Sequence, residues 1–259
     1  MAPLSTSAPI WAPPLLAVQF LTRLPVPVLA RLTAPQAADG MVRAMAWLPL
    51  VGTMIGASTA AVFVVAGWWW PPLVAALLAL ALEALLTGAF HEDAVADFCD
   101  AFGGTARGDT ALRIMRDSRI GSYGALGLGL AVALRAAAIV ALPASLAIPA
   151  IVAAATVARL AAVLLAAILP ATRPDGAAAR MGSGMPIRRV ALGLALALPG
   201  LLPFARSCPQ ALLVAAAAVV LLLAWLTRFL RARIGGSTGD CLGFAAYMAQ
   251  LALLLAAAA

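Results

Sequence analysis

No lysine occurs anywhere in this chain, histidine occurs once (His91), and cysteine three times. Cys99, Cys208 and Cys241 are odd in number, far apart and form no CxxC pair, which argues against a disulfide framework or a cysteine-held zinc; they read as small hydrophobes. The first 22 residues hold no basic side chain and are broken by prolines, so the basic-then-apolar layout of a cleaved secretory signal is missing and the N-terminus is expected to stay. Charge of either sign is scarce, at 10% of residues. The formal net charge of +7 does not point to nucleic acid, because the arginines are split among short loops and form no single patch.

What is abundant is apolar surface. With 64% hydrophobic residues and repeated apolar runs near or above the 18 positions a spanning helix needs, the 259 residues read as one all-α, polytopic integral membrane bundle. About seven spans are expected, at roughly 44–67, 71–90, 121–142, 145–170, 190–205, 210–230 and 241–259. The fifth is short and carries Pro199 and Pro203, which favour a kink or an early end. The N-terminal IWAPPLLAVQFLTRLPVP is too short and proline-broken to cross, and reads as an interfacial or half-inserted segment.

The loops set an orientation. Arg23, Arg31 and Arg43 precede the first span; Arg107, Arg113, Arg116 and Arg119 follow the second; Arg173, Arg180, Arg188 and Arg189 follow the fourth; Arg228, Arg231 and Arg233 close the sixth. The intervening connections GWWWPP, LPAS and RSCPQ hold only Arg206. Positive loops stay inside, so the N-terminus and every basic loop are expected in the cytoplasm, with Trp68, Trp69 and Trp70 at the outer interface.

Against this background the acids are unevenly spread. Six of the ten lie between Glu92 and Asp117. Asp93, Asp97 and Asp100 stand at i, i+4 and i+7, so on a helix they share a stripe about 60° wide. The residues between them are Ala94, Val95, Ala96, Phe98, Cys99 and no arginine, which suits a divalent cation or phosphate better than a solvated face. His91 projects about 160° from Asp93 on the same helix and joins the stripe only if the helix breaks near Gly88. Downstream, MRDSR sets Arg116 and Arg119 around Asp117 as a phosphate clamp. GGSTGD, from Gly235 to Asp240, reads either as an anion-turning loop before a helix or as a glycine helix stop followed by an Asp N-cap. Arg135, Arg159 and Glu83 lie inside spans, where charge must face the bundle interior, and Glu83 is either a buried relay or a partner for an arginine.

These segments carry a resemblance. FLTRLPVP from Phe20, WLPLVGTMIG from Trp47, TGAFHEDAVADFCDAFGG from Thr87, IMRDSRIGSYG from Ile114 and GGSTGDCLG from Gly235 are similar, in order and spacing, to the cobalamin synthase family, the adenosylcobinamide-GDP ribazoletransferases. The resemblance implies an inner-membrane, Mg²⁺-dependent enzyme joining adenosylcobinamide-GDP to α-ribazole or its 5′-phosphate, with release of GMP. Its substrates would be a corrinoid nucleotide and α-ribazole at the lipid bilayer, with room for a homo-oligomer and for contact with other cobalamin-pathway enzymes. Carried over by position, the catalytic set is Asp93, Asp97, Asp100, Asp240 and His91, with Asp93, Asp97 and Asp100 holding the metal. The substrate-binding set is Arg23, Arg116, Asp117, Arg119, Arg159, Gly236, Thr238 and Gly239. The pattern departs at Ala94, where the family carries glycine, and at Tyr247 and Gln250, where relatives carry glutamates. Two rival classes, a CDP-alcohol-type phosphotransferase and a transporter, lack respectively their longer Asp pattern and a clear inverted repeat here, and neither would release GMP.

Overall fold

Proline and glycine punctuate the apolar chain and decide where its helices begin and end. The computed structural model describes residues 7–172 and 185–259, so Arg173 and Arg180 lie outside the described residues. Eleven helices are found among those residues: α1 (Ala12–Leu21), α2 (Ala34–Ala44), α3 (Leu48–Ala66), α4 (Pro72–Thr87), α5 (Phe90–Phe102), α6 (Gly108–Ile114), α7 (Ser122–Ala141), α8 (Ala144–Ile168), α9 (Ile187–Ser207), α10 (Pro209–Ile234) and α11 (Gly239–Ala258). Prolines open α3, α4 and α10 within their first two positions, where a missing N–H costs nothing. Six stretches are long and apolar enough to cross a membrane, or seven if the bent pair α4 and α5 is one span. The seven expected spans thus correspond to α3, α4 and α7 through α11.

Two boundaries differ from expectation. The first span has a longer lead: α2, a 3₁₀ turn at Met45–Trp47 and α3 form a 33-residue run, Ala34–Ala66, started by a capping box between Thr33 and Gln36. α9 runs through Pro199 and Pro203 for 21 residues. Packing holds it there: a Cβ on Gly200 would collide with the hydroxyls of Thr53 and Thr156, which hydrogen-bond each other at 2.9 Å.

α8 and α11 are the inner helices, each with two-thirds of its apolar window buried. α3 lies against α8 because Gly52 and Gly56, one turn apart, bare its backbone; a Cβ on Gly52 would stand 2.5 Å from the Ala155 carbonyl oxygen. α7, α9 and α10 are more exposed and turn leucines such as Leu126, Leu194 and Leu221 outward, as a lipid-facing surface requires. α1 does not cross. Ala8, just ahead of it, is held by α2, whose Asp39 accepts from the Ala8 N–H and whose Arg43 donates to the Ala8 carbonyl.

The decisive local feature is the break after α4. Gly88 (φ 72°) and Ala89 (φ 56°) are both left-handed, and α5 leaves at 90°. A left-handed alanine is uncommon and is retained only where its surroundings fix it. Here the N-terminal segment does so: the Arg23 N–H donates to Leu86 O at 2.7 Å, the Arg23 guanidinium lies over Gly88, and Phe20 meets Phe90 edge-on. With its 16 residues α4 rises about 24 Å, enough for most of a crossing, and α5 leaves that axis at a right angle.

Candidate active site

Because α5 is a separate helix, its period alone sorts its side chains. Ala94, Val95, Phe98 and Ala101 are buried, with Phe98 stacked on Phe244 of α11 at 3.7 Å. Ala94 sits in unbroken helix, and a Cβ on Gly243 of α11 would stand 2.5 Å from its own Cβ. Asp93 is exposed and Asp97 half-buried on the opposite side, and both line a pocket of about 480 Å³. Its other wall is the α6–α7 connection, with Met115, Arg116, Asp117 and Arg119, closed below by Leu128 of α7.

The acidic stripe holds a surplus of negative charge. No ion pair reaches Asp93 or Asp97 among the described residues, and burial together with Asp93, Asp240 and Asp100 pushes the Asp97 carboxyl up to about 7. Across the pocket Asp117 is different: Arg119 grips it through Nε at 2.9 Å and through its backbone N–H at 3.1 Å, drawing the carboxyl down to about 2. Arg119 thus pairs with Asp117 at the exposed rim, both still lining the pocket, and Arg116 is the arginine of MRDSR without such a pairing among the described residues.

Asp100 has another task. Its two oxygens accept from the backbone N–H groups of Gly121 and Gly124, each at 2.7 Å, capping the start of α7 from a distant helix. The glycines of IGSYG explain themselves here, since a Cβ on either would collide with this carboxylate. Asp100 is also absent from the pocket lining. Asp100→Ala is therefore expected to destabilise the protein by about 1–2 kcal/mol, as lost N-caps do, with Asp100→Ser recovering part of it in thermal melts.

The remaining expected residues fall into two groups. His91 is 7% exposed and lines a small cavity with Arg159, Gly239 and Gly243, away from the Asp93 pocket. The break precedes His91, so it cannot rotate that side chain toward Asp93. Arg159 is buried and approaches Glu83 at 3.8 Å; its Nη1 donates weakly to Gln250 Oε1, while Nε and Nη2 find no hydrogen-bond partner. Arg23 guards the break. In the GGSTGD loop Gly235 (φ 74°) ends α10, Thr238 and not Asp240 caps α11, and Ser237 N–H donates to Pro170 O at 2.8 Å. That loop buttresses the site: Thr238 contacts the Met115 sulfur, and Asp240 adds its charge behind Asp93 and Asp97.

One pocket residue, Glu92, was missed on sequence. Glu83, read as relay or partner, is a partner: Arg135 Nη2 bonds it at 2.6 Å, and Thr59 donates to it at 2.8 Å. Arg135 also reaches Glu92 at 3.5 Å, and Glu92 lines the pocket. The only sequence signal for Glu92 was its place one face over from the stripe, with Ala89 and Ala96 at i−3 and i+4. The departures Tyr247 and Gln250 address the same arginines, Tyr247 by its ring 5.5 Å from Arg135 and Gln250 by its amide oxygen on Arg159.

No three His, Cys, Asp or Glu side chains converge closely enough to hold a metal ion by themselves among the described residues. Mg²⁺ asks for less, since one or two carboxylates with water and substrate phosphate oxygens suffice. Asp93 and Asp97, one turn apart and without a cationic partner among the described residues, fit that open arrangement; Asp100, which accepts from the Gly121 and Gly124 N–H groups, does not.

Fold and site together define a polytopic helical membrane protein with a polar pocket lined by carboxylates and arginines. The family described as cobalamin-5-phosphate synthase matches residues 13–258, and the chain belongs to it. An adenosylcobinamide-GDP ribazoletransferase of Azorhizobium caulinodans is 40% identical over 246 residues, 92% of each chain. Proteins of the same name from Ralstonia nicotianae (38%, 92% of each chain) and Rhizobium etli (40%, 93% of this chain and 94% of the relative) are similar to it as well. No solved structure matches the chain.

Proposed function

We propose that this protein transfers the phosphate-linked corrinoid of adenosylcobinamide-GDP to α-ribazole or its 5′-phosphate, releasing GMP and yielding adenosylcobalamin or its 5′-phosphate. The observation that carries the reading is the pair Asp93 and Asp97, carboxylates without a cationic partner among the described residues, in a pocket that Arg116 also lines. The names of relatives that align over nine-tenths of the chain support the substrates.

Asp93 and Asp97 would hold Mg²⁺, which when bound supplies neutralising charge to a diphosphate. Arg116 takes phosphate oxygens from the opposite wall, as a planar fork of donors does. The acceptor's ribose hydroxyl oxygen forms a bond to the phosphorus that bears the cobinamide. The bond from that phosphorus to the GMP oxygen breaks, GMP keeps the electron pair, and the hydroxyl proton passes to an acid of the site, with Asp240 and the stripe acids as candidates. Positioning and charge neutralisation supply most of the rate in such transfers. The pocket is walled by the basic α6–α7 connection, with Arg116 and Arg119, and the positive-inside rule favours a cytoplasmic site for it.

The test is turnover by purified protein in lipid nanodiscs, given adenosylcobinamide-GDP and α-ribazole 5′-phosphate with and without Mg²⁺. GMP and the corrinoid product are expected together and only with metal. Folded protein that releases neither would sink the reading.

A further inference from the structure

We infer that Glu92 holds the acceptor's second ribose hydroxyl, the one vicinal to the hydroxyl that attacks, and so selects a ribonucleoside. The inference rests on the transferase reading above. Glu92 precedes Asp93 by one residue and lies on an adjacent face of α5, turned about 100° from the stripe and toward α7. Ala89 and Ala96 flank it at i−3 and i+4 and, with Leu128, line the same pocket, so apolar side chains stand beside this carboxylate.

That carboxylate is anchored. Its side chain is 17% exposed, and Arg135, 3% exposed, stands 3.5 Å behind it. Arg135 is itself fixed by Glu83 at 2.6 Å and by the Tyr247 ring. A carboxylate has roughly four acceptor positions, of which one guanidinium contact takes one, leaving others for a ligand in the pocket. The chemistry of that ligand is narrow. A phosphate would be repelled by Glu92, and a metal ion is disfavoured because Arg135 already neutralises it, in contrast to Asp93 and Asp97. An uncharged donor on a largely apolar body remains, and an acid that accepts from a ribose hydroxyl is a recurring solution in nucleotide recognition. Because Glu92 adjoins Asp93 in the helix, a hydroxyl held by Glu92 sits next to the oxygen that must reach the diphosphate.

The experiment compares α-ribazole with its deoxy analogue lacking the vicinal hydroxyl, at saturating adenosylcobinamide-GDP in nanodiscs, for wild type, Glu92→Ala and Glu92→Gln. Wild type is expected to prefer α-ribazole by roughly 10- to 100-fold in kcat/KM, the size of a hydrogen bond to a charged group. In Glu92→Ala the preference should fall below about threefold, with the KM for adenosylcobinamide-GDP unmoved; Glu92→Gln should fall between. Equal losses on both acceptors, or a preference that survives Glu92→Ala, overturn the assignment. Arg135 keeps Glu83 in both variants, and should Glu92→Ala not insert, the size-preserving Glu92→Gln decides by the same ratio. Wild type that releases no GMP from α-ribazole brings down the transferase reading itself, whereas GMP release at equal efficiency from both acceptors brings down only the role of Glu92.

Discussion

Asp93→Asn lowers kcat by roughly 100-fold or more while the variant inserts and melts like the parent, the loss expected when one preorganised charge contact to a transferring phosphoryl group is removed. The separation of activity from stability follows from the surroundings of Asp93. It is exposed on the pocket side of α5, and no ion pair holds it among the described residues, so the fold loses nothing when its charge goes. The amide keeps the volume but not the charge that would bind a cation beside the diphosphate. GMP release at saturating substrates and a thermal melt of the same preparation check both halves; turnover within threefold of wild type would remove Asp93 from the site.

Glu83→Gln is expected to do the reverse and act on the fold. Glu83 is 4% exposed and is the shared partner of Arg135 and Arg159, two guanidiniums buried in the bundle. Removing one member of a buried charge pair costs about 3–5 kcal/mol, because the other charge stays behind without compensation. In a chain of this size that corresponds to a fall of roughly 10 °C in Tm. Arg159→Gln added to Glu83→Gln should recover part of the loss, since among the described residues Nε and Nη2 of Arg159 are already without hydrogen bonds. A double variant less stable than Glu83→Gln alone would mean that Arg159 is held by something other than Glu83.

Much of this protein was legible in its sequence because the bilayer imposes a simple rule. A backbone in hydrocarbon must close its own hydrogen bonds, so a long apolar run becomes a helix wherever the rest of the molecule lies. All seven expected spans therefore appear as helices, and the Asp93 and Asp97 stripe survives because it depends only on spacing within one helix. One alternative was not borne out: α9 does not end early but continues through Pro199 and Pro203, where Gly200 is packed against Thr53 and Thr156, contacts that no local propensity contains.

The sequence by itself determined the class of the molecule, the place of its spans, the acidic stretch and the family resemblance carried by five ordered motifs. Only the tertiary structure decided what each charge is for. Asp100 caps α7, Arg119 is bound to Asp117, His91 faces Arg159 behind the site, and Glu92 joins the pocket through Arg135. The physical reason is that a charge's role depends on which opposite charge or open N–H stands within a few ångströms, and here, the neighbouring Asp117 and Arg119 apart, those partners come from helices tens of residues away. The 90° break at Gly88 and Ala89 chooses among them by setting the direction in which α5 presents its faces.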